Sequence, residues 1–232
     1  MANTISEETG ALAEHGWLAF TPEEFRHRVL QRVRMREFGK GEAVYRAGDP
    51  PGGLWAVVRG AVEVEVPSHT GASQLAHFAS RGFWFGEGPL IYEHHRRVGV
   101  VAARPTLMAT LPLNDCHAIL EADPLAWRWI ALLASMTTDL AIGVVADLLL
   151  NDPVKRTAAL LLRLAGVRSK VFVSKTPAPV YLSQEKIGFL VNLSRNSVTP
   201  ILHTFAQRGL IELKYGSILV TDVERLAAET TG

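Results

Sequence analysis

At 232 residues the chain is long enough for one large or two small domains with cores of their own, and at 48% hydrophobic and 20% charged it does not have the composition of a disordered protein. Its single cysteine, Cys116, excludes an internal disulfide and the usual multi-thiolate metal or iron–sulfur site. Residues 1–150 carry 13 basic against 17 acidic side chains and residues 151–232 carry 11 against 6, the imbalance expected of a nucleic-acid reader joined to a separate sensing part.

The chain starts MANTISEETGALAEHG, with neither a basic start nor an apolar block, so no secretion signal is visible and a cytoplasmic location is expected. An amphipathic stretch around Thr21 to Arg34 gives way to short extended runs punctuated by glycine, beginning with a turn at Phe38-Gly39-Lys40-Gly41-Glu42. Strands are predicted at Leu54 to Val58 and Ala61 to Val66, where Val62, Val64 and Val66 alternate with Glu63 and Glu65 as in a strand with one wet face. Further strands fall at Gln74 to Phe78, Val98 to Ala103 and Leu107 to Leu111. This spacing predicts a β-sandwich or β-roll.

From Leu113 the period becomes helical. Asp123-Pro124 is a start signal, with Asp at the cap and Pro at the first helical position. The helix then runs to about Asn151, with Trp129, Leu133, Met136, Leu140, Val144 and Leu148 three or four residues apart. Asp139 and Asp147 interrupt it, so no run is expected to cross a bilayer and no membrane partner is expected. A small β domain cannot cover so long an apolar face; those six residues are expected to pack against a second copy, the alternative being burial within one chain. Asn151-Asp152-Pro153 ends that helix and caps the next, Val154 to Ala165. The expected division is a β domain over 1–122, a long helix over 123–151 and a separate C-terminal domain over 152–232.

After a strand and proline-containing turn predicted over Val171 to Pro179 comes YLSQEKIGFLVNLSRNSVTPILHTFAQRGLI. Ser183 can cap one helix, Gln184 to Asn192, with Ile187, Leu190 and Val191 inward. Ser194 can cap a second, Arg195 to Arg208, with Val198, Ile201, Leu202 and Phe205 inward. Asn192-Leu193-Ser194 reads as the turn of a helix-turn-helix, where Asn tolerates positive φ. Ile211 to Leu213 and Ser217 to Thr221, joined through Lys214-Tyr215-Gly216, read as a two-stranded wing. The candidate DNA-binding residues are Ser183, Gln184, Ser194, Arg195, Asn196, Ser197 and Thr199: Arg pairs with guanine, Asn with adenine, and the hydroxyls reach phosphates or base edges. Pro200 falls inside the second helix, where it forfeits the hydrogen bond to the Asn196 carbonyl at a cost of about 3 kcal/mol and predicts a kink.

LSQEKIGFLVNLSRNSVTPILHTFAQRGLI resembles the DNA-binding motif of the Crp/Fnr family of bacterial transcription regulators, and the resemblance extends over nearly the whole chain. It implies an α+β protein: an N-terminal cyclic-nucleotide-binding-type β-roll, a long dimerisation helix, a hinge at Asn151-Asp152-Pro153 and a C-terminal winged helix-turn-helix. It also implies a homodimer on double-stranded DNA, with RNA polymerase as a candidate contact. The family's usual base-reading triplet is Arg, Glu and Arg; here Arg195 matches the first, Asn196 replaces the second and Pro200 the third, so a different base preference is expected.

By the same resemblance, FGEGPLIYEHHRRVGVV, Phe85 to Val101, is similar to the family's phosphate-binding cassette, with Gly86, Glu87 and Arg97 at the effector-binding positions. Val98 stands where nucleotide binders carry a hydroxyl, Pro89 replaces a small residue, and Ala141-Ile142 falls where cyclic-AMP receptors present Thr-Ser to adenine. Losing these donors costs roughly 1–3 kcal/mol each. Cyclic AMP is therefore disfavoured as the cofactor; another nucleotide, a different small effector or no ligand at all stay open, and Glu87 and Arg97 could instead form an internal ion pair. His94-His95 with His77 is a weaker candidate for haem or a metal, and no metal site is expected. No phosphate loop, nucleophile elbow or spaced carboxylate pair supports an enzyme. The alternative of a nucleotide-binding module controlling a protein partner leaves the winged helix unexplained.

Overall fold

A computed structural model describes residues 10, 12–68, 73–168 and 177–231. The chain forms two compact units, residues 1–138 and 139–232, whose boundary falls within one long helix. The strand predicted over Val171 to Pro179 lies mostly outside the described residues.

The first unit opens with a 3-10 turn, Trp17–Phe20, and helix α1, Glu23–Leu30. Among the described residues eight strands come next: β1 Arg34–Phe38, β2 Ala43–Tyr45, β3 Leu54–Arg59, β4 Ala61–Pro67, β5 Ser73–Ser80, β6 Trp84–Phe85, β7 Gly99–Ala102 and β8 Thr106–Leu111. They form two antiparallel sheets, ordered β1-β8-β3-β6 and β2-β7-β4-β5. Between the sheets lies a core of Phe38, Val44, Val57, Val62, Ala79, Phe85, Val100, Ala102 and Met108. The expected alternation along β4 fails at Glu63, which is only 8% exposed. It sits in the stretch of β4 flanked by both β5 and β7.

A four-residue helix, α2, Gly88–Ile91, sits between β6 and β7; α3, Leu113–Ala122, comes after β8. The Asp123 side chain does not cap the next element: its carboxylate takes Arg28 Nη2 at 2.9 Å, and the chain enters the long helix through a 3-10 turn, Pro124–Ala126. The long helix α4, Trp127–Leu148, is with that turn long and apolar enough, by length and composition, to cross a membrane, contrary to expectation: Asp139 and Asp147 are too few to prevent it.

The face of α4 expected to meet a second copy is partly taken up within the chain. Leu133 and Met136 are each 1% exposed, and half-buried Trp129 lies near Phe25 with its ring tilted to it and accepts the Trp17 indole N–H through its carbonyl. Leu140 and Val144 are half-buried, and of the six only Leu148 is exposed. One stripe of the helix closes the chain's own core, so the outward stripe is a different one. It comprises small residues at its start, Ala131, Ser135 and Thr138, and then Ile142, Val145 and Leu149, at alternating spacings of four and three. The last three are large and apolar, at 61%, 57% and 74% exposure.

The second unit continues with α5, Pro153–Leu164, capped by Asp152, whose Oδ1 accepts the Val154 amide at 2.7 Å. Two helices, α6, Gln184–Leu190, and α7, Arg195–Gln207, precede the hairpin β9, Ile211–Lys214, and β10, Ser217–Val220, and α8, Val223–Ala228. Val180 bridges to Ile218 beside the hairpin.

Candidate nucleic-acid interface and sensor site

The two helix starts near Ser183 and Ser194 form as their residues dictate. Ser183 Oγ accepts the Lys186 amide at 3.2 Å, and Ser194 Oγ accepts the Ser197 amide at 3.1 Å, satisfying amides that a helix start leaves open. Between them Asn192 takes φ 54°, and the Leu193 amide donates to the Gly188 carbonyl at 2.8 Å. Gly188 is required by packing: a Cβ there would stand 2.7 Å from the Leu193 carbonyl oxygen. Sequence reasoning passed over this glycine, because close approach across a turn leaves no local sign. Ile187, Leu190, Val191, Val198, Leu202 and Phe205 are buried as expected, and Ile201 is half-buried.

This docking turns the first turn of α7 outward. Ser194, Arg195, Asn196 and Ser197 are exposed, as is Ser183. Thr199 and Gln184 stand apart from them: both are half-buried, and the Thr199 hydroxyl lies 2.8 Å from both Gln184 Oε1 and the Arg195 carbonyl, tying α7 to α6. Beyond the first turn the outward face continues through Pro200, His203 and Gln207. The helix runs through Pro200 as one element. Tyr215, at the hairpin tip, is fully exposed.

In the β-roll the buried arginine is Arg96; Arg97, selected from the sequence, is exposed. Two adjacent arginines on an irregular segment offer no periodicity to tell which turns in. The Arg96 backbone is held to the 46–49 turn, donating its amide to the Asp49 carbonyl and accepting the Gly48 amide. Its guanidinium donates to the carbonyls of Gly53 at 2.9 Å and Gly86 at 3.2 Å and lies 4.4 Å over the Tyr45 ring. Gly52 and Gly86 leave room for it: a Cβ on either would come within 3.0 Å of a guanidinium nitrogen. Burial lowers the Arg96 pKa, opposed by Tyr45, Glu87 and Asp49, and raises that of Tyr45. Glu87 is buried just before α2. The site thus brings Gly86, Glu87 and Arg96 together and leaves Arg97 outside. His94 and His95 hydrogen-bond to the carbonyls of His95 and Gly48, and the His77 ring packs near Phe83.

A two-sheet β domain, a long helix and a winged helix-turn-helix, in that order, define a DNA-binding transcription regulator. A cyclic nucleotide-binding domain matches residues 35–123, and a Crp-like helix-turn-helix domain matches residues 155–229. The chain belongs to the Crp/Fnr family of transcription regulators. It is 27% identical over 210 residues to the CRP-like cAMP-activated global transcriptional regulator of Mycobacterium tuberculosis, covering 86% of this chain and 89% of that protein. It is 26% identical over 201 residues to the cyclic AMP receptor protein of Thermus thermophilus, covering 85% and 88%. In fold it is similar to FixK2 from Bradyrhizobium japonicum, with a TM-score of 0.71 at 19% identity over 86% of this chain and 98% of that one.

Proposed function

We propose that the chain acts as a homodimer that reads a pseudo-palindromic operator, placing the first turn of α7 from each copy in successive major grooves about one helical turn apart. The observation that carries this is the outward first turn of α7, where exposed Arg195, Asn196 and Ser197 stand on a helix capped by Ser194 and joined through the Gly188 turn to the Ser183-capped α6. Arg195 would pair with guanine and Asn196 with adenine, with Ser183, Ser194 and Ser197 near the phosphates, while Gln184 and Thr199 brace α7. The second copy would pack along the exposed stripe from Ala131 to Leu149, which removes the apolar surface that α4 presents to water. Such a regulator works in the cytoplasm, where an operator-bound dimer can meet RNA polymerase.

The β-roll is the sensing part. The relatives' names speak for a cyclic nucleotide, and Gly86, Glu87 and Arg96 are the groups that would meet its phosphate and ribose. Three features of this chain speak against cyclic AMP: Val98 offers no hydroxyl, Ala141-Ile142 offers adenine no partner, and the Arg96 guanidinium already has two carbonyls. A different effector, or none, fits these residues better. The test is selection of bound fragments from a genomic DNA library at one fixed salt concentration, without addition and with cyclic AMP, cyclic GMP or cyclic di-GMP. Enrichment of one palindrome without addition is expected. Enrichment only with cyclic AMP would show that Glu87 and Arg96 suffice, and no enrichment under any condition would refute DNA reading.

A further inference from the structure

We propose that Pro200 is a specificity-determining residue whose ring reads a thymine methyl in each half-site, an inference that rests on α7 being the recognition helix. An interior proline removes a helical hydrogen bond, and here the Asn196 carbonyl loses its α-helical donor. Such a cost is ordinarily offset where the ring fills a core gap or a kink is needed. The first does not apply: Pro200 is exposed, inside α7, Arg195–Gln207. A residue that breaks a local rule on the surface without packing in return points to function.

Its position says which function. Pro200 is four residues after Asn196 and three before His203, and all three are exposed along one stripe. The neighbouring Thr199 is turned toward Gln184 and does not share that stripe. Base edges are met by the N-terminal turns of a recognition helix, and Pro200 opens the second of them. The ring carries neither donor nor acceptor, so against the polar edge of guanine, adenine or cytosine it would strip water and return nothing. Thymine alone offers an apolar group in the major groove, its C5 methyl. The ring also has no rotamers to freeze, so this contact has little entropic cost.

The test uses the full chain and the operator found by selection. Pro200→Ala cuts the apolar surface to one methyl and restores the backbone donor. Its thermal midpoint should rise, its selected operator should lose a thymine at one position per half-site, and preferences set by Arg195 should persist. Replacing that thymine by uracil removes only the methyl; it should weaken wild-type binding about fourfold per half-site, the effect of burying one methyl-sized group, and leave Pro200→Ala unchanged. An operator profile identical in the wild type and the variant, or wild-type binding indifferent to uracil, overturns the role of Pro200 while leaving DNA reading intact. Absence of any enriched sequence for the wild type, with or without cyclic nucleotides, overturns DNA reading and this proposal with it.

Discussion

Asp147, in the last turn of α4, meets the Arg163 guanidinium of α5 at 2.9 Å with neither side chain more than 7% exposed, and its other oxygen takes Arg168. The pair joins the end of the long helix to the first helix of the DNA-binding unit, and Arg156 strengthens the joint by donating to the Leu150 carbonyl at 2.7 Å. The end of α4 and α5 are therefore fixed to each other, and a rotation at this end of α4 is passed to α5 rather than absorbed between them. Burial lowers the Arg163 pKa and the Asp147 hydrogen bond opposes that shift, so removing the carboxylate takes a charge partner from a buried guanidinium. Asp147→Ala should destabilise the second unit by roughly 3–5 kcal/mol in denaturant unfolding. A loss below about 1 kcal/mol, the worth of a surface pair, would show that the joint is held by packing alone.

The two stripes of α4 should respond differently to substitution. Leu133→Ala empties a site inside the chain and should cost roughly 2–5 kcal/mol of stability while the dimer persists. Ile142→Asp places a charge on the exposed stripe and should yield a folded monomer at micromolar concentration, with unfolding of the isolated chain little changed. Sedimentation of both variants decides the matter. A dimer that survives Ile142→Asp and Val145→Asp together would remove this stripe from the interface.

That distinction marks the limit of what the sequence discloses. The apolar period of α4 is legible from Trp129 to Leu148, but the helix carries apolar residues on two stripes, and which one its own chain covers depends on Phe25 and Trp17, more than a hundred residues earlier. Arg96 and Arg97 pose the same difficulty, since the choice between them is made by the carbonyls of Gly53 and Gly86 and the Tyr45 ring. The helix-turn-helix was legible because its determinants are local: Ser183, Asn192 and Ser194 act on amides and dihedrals within three residues. Glu63 misled because its burial comes from strands on either side of β4 rather than from its own alternation.

Cys116 offers a test by pH. Burial against apolar neighbours pushes its thiol up from 9.0 to about 11. The folded chain therefore holds the neutral thiol where the unfolded chain ionises, so this contribution is complete below about pH 9 and is lost as pH rises toward 11. Cys116 should react with a thiol reagent at pH 8 only as fast as the chain unfolds, and Cys116→Ala should remove part of the fall in stability between pH 9 and 11. Rapid labelling of the native protein would place the thiol at the surface.

Gly188 and Arg195 separate the shape of the reading head from its content. Gly188→Ala sets a Cβ against the Leu193 carbonyl at 2.7 Å, and the obstacle is backbone, so the turn between α6 and α7 must move. Every contact of α7 shifts with it, and the variant should bind all operator sequences more weakly while its ranking of them stays unchanged. Arg195→Ala leaves the turn intact and removes one exposed guanidinium. It should relax preference at one base pair per half-site, costing about 1–3 kcal/mol on the preferred base and little on the others. Competition binding across a panel of single-base operator variants, at one salt concentration, distinguishes a uniform loss from a local one. An Arg195→Ala profile parallel to the wild type would move base reading away from the first turn of α7 and leave Arg195 as a phosphate contact.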